Sequence, residues 1–244
     1  MTAGLGERLA RLDTCAVSDA LDSLGLAGAA PGLAPLWDGG RIAGPVHTVA
    51  LRPVLEGMAP PSGRHLGTPA IEAAGPGDVI VVANGGRTES GAWGGLLSAA
   101  AHARGVAGVV VDGACRDVDE AVELGFPVFA RAATPVSARG RTIEEATDVP
   151  VLVAGVRVVP GDYVVADRSG VVFVAAGAAD EVLAAAEGIA AREATMREEI
   201  VAGTPVTRVL DRRYEDMLDH PGDGGSDGSD GTGAKAEGGA RAVR

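Results

Sequence analysis

A single lysine, Lys235, occurs in the 244 residues of the sequence. A Schiff-base aldolase, a pyridoxal-phosphate enzyme and a P-loop nucleotidase each need a lysine placed in a structured site, so these mechanisms are excluded. Aromatic residues make up only 3%, and a core drawn from the 46% of hydrophobic residues must be mainly valine, alanine, leucine and isoleucine. The two cysteines, Cys15 and Cys115, stand in no metal-ligand or redox spacing and read as reduced thiols of a cytoplasmic protein. There is no run of apolar residues long enough to span a membrane, and no basic N-terminal region followed by an apolar one. Basic stripes are absent as well. The net charge is −12, and a phosphate backbone needs a cationic surface to displace its counterions, so direct nucleic-acid binding is not expected.

From Pro221 the chain reads "PGDGGSDGSDGTGAKAEGGARAVR", with too little apolar surface to offset the entropy of ordering, and residues 221–244 read as a disordered Gly/Asp-rich tail. Residues 1–220 read as one α/β domain. Helical spacing of Leu5, Leu9 and Leu12 precedes a second helix after Thr14, with Val17, Leu21 and Leu24 on one face and Gly25 as its stop. "RIAGPVHTVALRPV" is strand-like. In the middle, strand 79–83 leads through a glycine-rich loop to a helix over 92–104, strand 106–111 leads to a helix over 116–124, and strand 127–130 follows. This β-α-β-α-β order predicts parallel pairs. A meander over 151–175 and a long helix over 178–202 complete the reading. The repeated turns Pro76-Gly77-Asp78 and Pro160-Gly161-Asp162 form an internal echo, and the ordinary role of their aspartates is turn formation.

Both middle helices start where parallel strands end, which is where open α/β sheets place ligands. At the first start, "GGRTESGAWGGLL", Gly94 and Gly95 would let backbone N–H groups approach an anion such as a carboxylate. A tight loop with close helix packing explains the same glycines. No G-x-G-x-x-G is present to suggest a dinucleotide. At the second start, "DGACRDVDE", Asp117 and Glu120 are three apart and would share a helix face, able to hold a hard divalent cation between carboxylate and water. Arg116 could then stabilise an oxygen that gains negative charge. A solvated helix start with Arg116 in a surface ion pair is the simpler reading of the pattern alone. The four histidines, His47, His65, His102 and His220, are scattered. Ser90 and Ser98 lack a nucleophile elbow, and Trp93 reads as a packing residue.

The stretch "GGLLSAAAHARGVAGVVVDGACRD" resembles the core of the regulator of ribonuclease activity A-like family. Its enzymatic branch, the class II 4-hydroxy-4-methyl-2-oxoglutarate aldolases that also decarboxylate oxaloacetate, carries a glycine, twenty residues, Arg-Asp, two residues, then Glu or Asp. Here Gly95, residues 96–115, Arg116-Asp117, Val118-Asp119 and Glu120 repeat that spacing. "TCAVSDALDSLG", "GGRIAGPVHTV", "AGPGDVIVV" and "VVPGDYVVADRSGVVFV" extend the resemblance over roughly residues 8–205. It implies a layered α/β/β/α sandwich of the swivelling-domain type with a long C-terminal helix. It further implies Mg²⁺ or Mn²⁺ on Asp117, the pyruvyl carboxylate on N–H groups of the turn Gly94, Gly95, Leu96 and Leu97, and Arg116 over the 2-oxo oxygen. Glu120 would position metal waters. The family's site lies between subunits of a homotrimer, or of a hexamer of two trimers, with a glutamate from the neighbour's C-terminal helix, for which Glu193 is the candidate. Arg64 or His65, in the loop from Val54 to Pro69, could contact a distal carboxylate. Other members lack the final acidic residue and act as protein-binding inhibitors of ribonuclease E, the alternative reading. A menaquinone methyltransferase activity, also attached to such sequences, lacks a cofactor loop here.

Overall fold

A computed structural model describes residues 4–55 and 65–211. The elements run α1 (Leu5–Leu9), α2 (Thr14–Ser23), β1 (Ala34–Pro35), β2 (Ile42–Pro53), α3 (Thr68–Ala73), β3 (Val79–Trp93), α4 (Gly95–Ala103), β4 (Gly108–Cys115), α5 (Val118–Leu124), β5 (Val128–Ala133), β6 (Thr142–Thr147), β7 (Val151–Val153), β8 (Val156–Val158), β9 (Tyr163–Asp167), β10 (Gly170–Val174), α6 (Ala179–Val201) and α7 (Val206–Val209). The predicted tail, and residues 212–220 of the predicted domain, lie outside the described residues, as do Arg64 and His220.

The main sheet has the order β1-β5-β4-β3-β2-β9-β10, with β6 paired to β2 off that path. β2, β3, β4 and β5 are mutually parallel, while β9 and β10 form an antiparallel hairpin. The long β2 joins the two parts. Its first residues, Ile42–Pro45, pair with β9, and from Val46 onward it pairs with β3.

Strand side chains alternate between faces, so each strand feeds two cores. Ile80 and Val82 of β3 and Val109 and Val111 of β4 pack with Ile71 of α3, Leu97 of α4 and Ala121 of α5. Val79, Val81 and Val110, on the opposite face, meet Val164 and Ala166 of β9 and Val171 and Phe173 of β10. The outer face of the hairpin, Val165, Val172 and Val174, packs on Leu9, Val17 and Leu21 of the first two helices and on Val182, Leu183 and Ile189 of α6. Three cores between four layers make the expected α/β/β/α sandwich. Burying a branched aliphatic side chain contributes about 1.5–3 kcal/mol, so the aromatic-poor composition suffices. Among the described residues, no helix is long and apolar enough to cross a membrane.

The repeated turns have one geometry. Asp78 Oδ2 accepts Gly75 N–H at 2.7 Å, Asp162 Oδ2 accepts Val159 N–H at 2.7 Å, and Gly77 and Gly161 have φ of 86° and 89°. Both aspartates close turns, as expected.

Four boundaries around the two middle helices differ from the sequence reading. The glycine-rich segment after residue 83 is no free loop. It returns to the edge of β4 at Arg87, Gly91 and Trp93, with large bulges between. Gly85 and Gly86, at φ 62° and 73°, turn the first bulge. In the second, Ser90 Oγ lies 3.4 Å from Thr142 Oγ1 and Gly91 N–H donates to Val136 at 2.8 Å. The helix therefore begins at Gly95 rather than at residue 92. Strand β4 runs on through Asp112-Gly113 to Cys115, because buried Asp112 is satisfied by Arg131 Nε at 2.5 Å and by Ala154 N–H at 3.2 Å. The next helix accordingly starts at Val118, two residues beyond the predicted start at Arg116.

Candidate active site

β3 and β4 are adjacent and parallel, so the junctions to α4 and α5 lie side by side. Arg116 N–H donates to Trp93 O at 3.0 Å and fixes one junction on the other. Asp117 is not on the helix. It is the residue before the first helical turn, in the left-handed region at φ 58° and ψ 43°, and its carboxylate does not cap α5. Its predicted helical face with Glu120 is therefore corrected. A left-handed non-glycine residue costs of order 1–3 kcal/mol, and aspartate is among the residues that tolerate this region best.

The left-handed turn aims the Asp117 carboxylate across to α4. Oδ2 accepts Gly95 N–H at 3.1 Å, and both oxygens lie 3.1 Å from Arg116 Nε. Side-chain exposures are 37% for Arg116 and 29% for Asp117, so the pair sits at a wetted surface. The guanidinium Nη groups of Arg116 make no hydrogen bond among the described residues, and the same holds for the Leu96 and Leu97 N–H groups at the start of α4. The expected donor set is thus split: Gly95 N–H serves Asp117, and the next two N–H groups stay open.

The glycines have a steric reason. A Cβ on Gly91 would lie 3.1 Å from Arg116 Cγ, and one on Gly94 would lie 2.9 Å from Asp117 Oδ2. At Gly95 it would collide with the Glu120 carboxylate. At Gly94 and Gly95 the structure shows the close packing, and the Gly95 N–H meets a carboxylate of the chain itself. Behind them, buried Trp93 donates from Nε1 to Ser98 Oγ at 2.9 Å, and Ser98 Oγ lies 3.3 Å from Gly94 O. Trp93 is a packing residue, as expected.

A cavity of about 150 Å³ opens over these groups, with Gly91–Leu97, Arg116 and Asp117 among its walls. His65, Leu66 and the segment Ser137–Arg139 line it as well. His65 was among the sequence candidates. Ser137 and Arg139 were missed, because the connection from β5 to β6 carries no periodicity or motif. A second, open groove of about 510 Å³ has Arg116, Asp117, Asp119, Glu120 and Thr134 on its walls. The Arg116–Asp117 pair thus separates two concavities, with Glu120 on one side. Glu193 is not brought to them within the chain: α6 packs on α1 and α2. Burial raises the thiol pKa of Cys115 far above its ordinary value, and this neighbour of Arg116 is inert.

No cluster of three or more His, Cys, Asp or Glu side chains able to hold a metal is found among the described residues. Asp117 with Glu120 nonetheless fits a hard cation that keeps several waters and takes one or two carboxylates, as Mg²⁺ does. The two carboxylates stand over Gly94 and Gly95, in space that a Cβ would fill.

A mixed α/β sandwich with an Arg-Asp pair at the carboxyl ends of adjacent parallel strands defines the class of protein. The chain belongs to the RraA-like family described as Aldolase/RraA, which matches residues 14–173. A protein of Halalkalibacterium halodurans with the provisional name 4-hydroxy-4-methyl-2-oxoglutarate aldolase is 35% identical over 173 residues, covering 70% of this chain and 77% of that one. DlpA of Legionella pneumophila is 30% identical over 199 residues, 81% of this chain, but the match spans only 32% of its length. Of the solved structures, an uncharacterised Pseudomonas syringae protein superposes with a TM-score of 0.75 at 34% identity, covering 84% of this chain and 96% of that one. Streptomyces coelicolor RraAS2, described as an unusual member of the RNase ES inhibitor RraA family, superposes with a TM-score of 0.69 at 30% identity, covering 83% and 98%.

Proposed function

We propose that the protein is a divalent-metal-dependent lyase that cleaves 4-hydroxy-2-oxo acids, such as 4-hydroxy-4-methyl-2-oxoglutarate, to pyruvate and a carbonyl product, and that it decarboxylates oxaloacetate. The observation that carries this reading is the Arg116–Asp117 pair set against open helix N–H groups in a cavity. The provisional names of relatives support it.

The Leu96 and Leu97 N–H groups, at the positive end of the α4 dipole, take the substrate carboxylate. Arg116 directs its Nη donors at the 2-oxo oxygen, where charge collects as the C3–C4 bond breaks. A divalent cation held by Asp117, with Glu120 acting through water, would supply Lewis-acid stabilisation of that charge, the role an amine plays in lysine-dependent aldolases. Water ordered by Glu120 accepts the proton of the 4-hydroxyl group in the aldol reaction. Decarboxylation releases carbon dioxide from C4 and needs no such base, so one site serves both. The reading includes a homotrimer or a hexamer of two trimers, in which Glu193 of a neighbouring subunit completes the site.

The test is pyruvate release from both substrates with Mg²⁺ and with chelator, for wild type and Asp117→Ala. Metal-dependent turnover lost in the variant is expected. Absence of turnover on both substrates would sink the lyase and leave a protein-binding regulator, the reading favoured by the likeness to RraAS2. Binding to a ribonuclease would then be the property to measure.

A further inference from the structure

Strand β4 is buried from Gly108 to Cys115, yet Asp112 in its middle carries a charge and is 4% exposed. A carboxylate so placed is tolerated only when paired and hydrogen-bonded. Its Oδ1 accepts Arg131 Nε–H at 2.5 Å from β5, and its Oδ2 accepts Ala154 N–H at 3.2 Å from the turn between β7 and β8. An apolar pair of similar volume would join these layers at least as well, since buried ion pairs add little net stability. The place of the pair in the sheet register gives it another use.

Asp112 and Arg131 sit where the ladder breaks. Val111 pairs with Ala130 and Ala114 with Ala132, so Asp112 and Gly113 together stand opposite Arg131 alone. That is a bulge, which bends a strand and re-aims the side chains beyond it. On the other edge β3 is interrupted at the same point, with Ala83 paired to Asp112 and Arg87 to Gly113. A Cβ on Gly113 would lie 2.8 Å from Arg87 O and from Asn84 Nδ2, so β3 closes over the bulge. Arg131 has a fitted seat: a Cβ on Gly32 would stand 2.9 Å from its Nη1, and one on Gly86 3.4 Å from its Nε. Beyond the bulge the strand delivers Cys115, Arg116 and Asp117. Strand side chains alternate with a period of two, so a one-residue slip at the bulge would turn Arg116 to the other face and carry Asp117 away from Gly95.

We propose that Asp112 and Arg131 are positioning residues: their buried pair fixes the β4 bulge and so sets the direction in which Arg116 and Asp117 leave the strand. Neither lines the cavity over the two junctions. Their effect on catalysis, which rests on the lyase reading above, passes through Arg116 and falls on kcat rather than on KM.

Amide hydrogen exchange reads this positioning without any reaction. Three N–H groups report on the end of β4: Arg116 to Trp93 O at 3.0 Å, Thr134 to Cys115 O at 2.8 Å, and Gly95 to Asp117 Oδ2 at 3.1 Å. Asp112→Asn keeps the shape and removes the charge. Exchange at these three is expected to rise at least about tenfold more than at the buried α6 positions Val182 and Leu183, the mark of a local opening. With Mg²⁺ present, kcat for oxaloacetate should fall about 10²-fold, the cost of a misplacement of about 1 Å, with KM within about twofold. In an Arg116→Lys background the same substitution should lower kcat less than about threefold, because both act through one guanidinium. Arg131→Lys is the milder variant should Asp112→Asn not fold, and the same pattern is expected in smaller measure. Exchange raised equally in α6 and at the junctions, or raised at neither, overturns the positioning role and leaves the lyase standing. A local rise with kcat unchanged overturns it as well. A wild type without turnover sinks the lyase reading alone, and the exchange comparison still decides whether the pair holds the junction.

Discussion

The two strand-to-helix junctions are built from opposite materials. After β3 the chain offers Gly94 and Gly95, backbone with no side chains; after β4 it offers Arg116, Asp117 and, one turn on, Glu120. Each is unremarkable alone, since glycine-rich turns and charged helix starts are common. Set side by side by the β3–β4 pairing, one leaves the space that the other fills. The Asp117 carboxylate reaches the Gly95 N–H across space that a Cβ on Gly94 would crowd, and the aliphatic stem of Arg116 lies against β3 where Gly91 leaves room. The lesson is that the functional unit is the pair of junctions.

The largest effect should come from removing the guanidinium fork at the second junction. Arg116→Lys keeps the charge but loses the planar fork, and is expected to lower kcat for pyruvate release by about 10²–10³, the range seen when one preorganised donor is lost. Steady-state kinetics on oxaloacetate measure it, and an unchanged kcat would remove Arg116 from the chemistry. Filling the first junction should cost less. Gly95→Ala places a methyl in the seat of the Glu120 carboxylate, a flexible side-chain end that can swing aside. The fold should therefore survive, with activity down roughly tenfold. If the two junctions act as one, the cost should shrink in a Glu120→Ala background, since contacting residues couple by about 0.5–3 kcal/mol. Additive losses would break the comparison.

Smaller still is the support beneath. Ser98→Ala leaves the buried Trp93 indole N–H without its acceptor, and the expected cost is about 1–3 kcal/mol in urea unfolding, with kcat falling only as Gly94 shifts. A control lies far from both junctions. Burial alone would push the Asp167 carboxyl up, but hydrogen bonds from the Thr14 hydroxyl and N–H and from Ser169 N–H, with Arg41 nearby, outweigh it and hold the group below its ordinary range. Its contribution to stability is therefore full above the unfolded value near 4 and is lost as pH falls through the lower folded one. Asp167→Asn should flatten the acid side of the stability profile in urea titrations without changing kcat at neutral pH. An unchanged acid limb would show that Asp167 does not join α2 to β9 in this way.

Much of the architecture follows from local pattern. Alternating valines in β3, β4, β9 and β10 fix which face meets which layer, and the two Pro-Gly-Asp turns close by the same aspartate-to-backbone bond. The helix starts were misplaced for one physical reason. Bulges in β3 and the continuation of β4 through Asp112 depend on partners far along the chain, Val136, Thr142, Arg131 and Ala154, and no short window contains them. Arg139 was invisible for the same reason.

By itself the sequence determined the chemistry available: a single lysine, an Arg-Asp pair just past a strand, and apolar periodicity that marks an α/β core with parallel strand pairs, the four layers being what the family resemblance implied. Only the tertiary structure decided how those groups are spent. It put Asp117 in a left-handed turn outside its helix, gave Gly95 N–H to that carboxylate, and carried Arg139 to the wall of the cavity. Spacing along a chain fixes which side chains exist, whereas sheet register and steric vacancy fix which of them can meet.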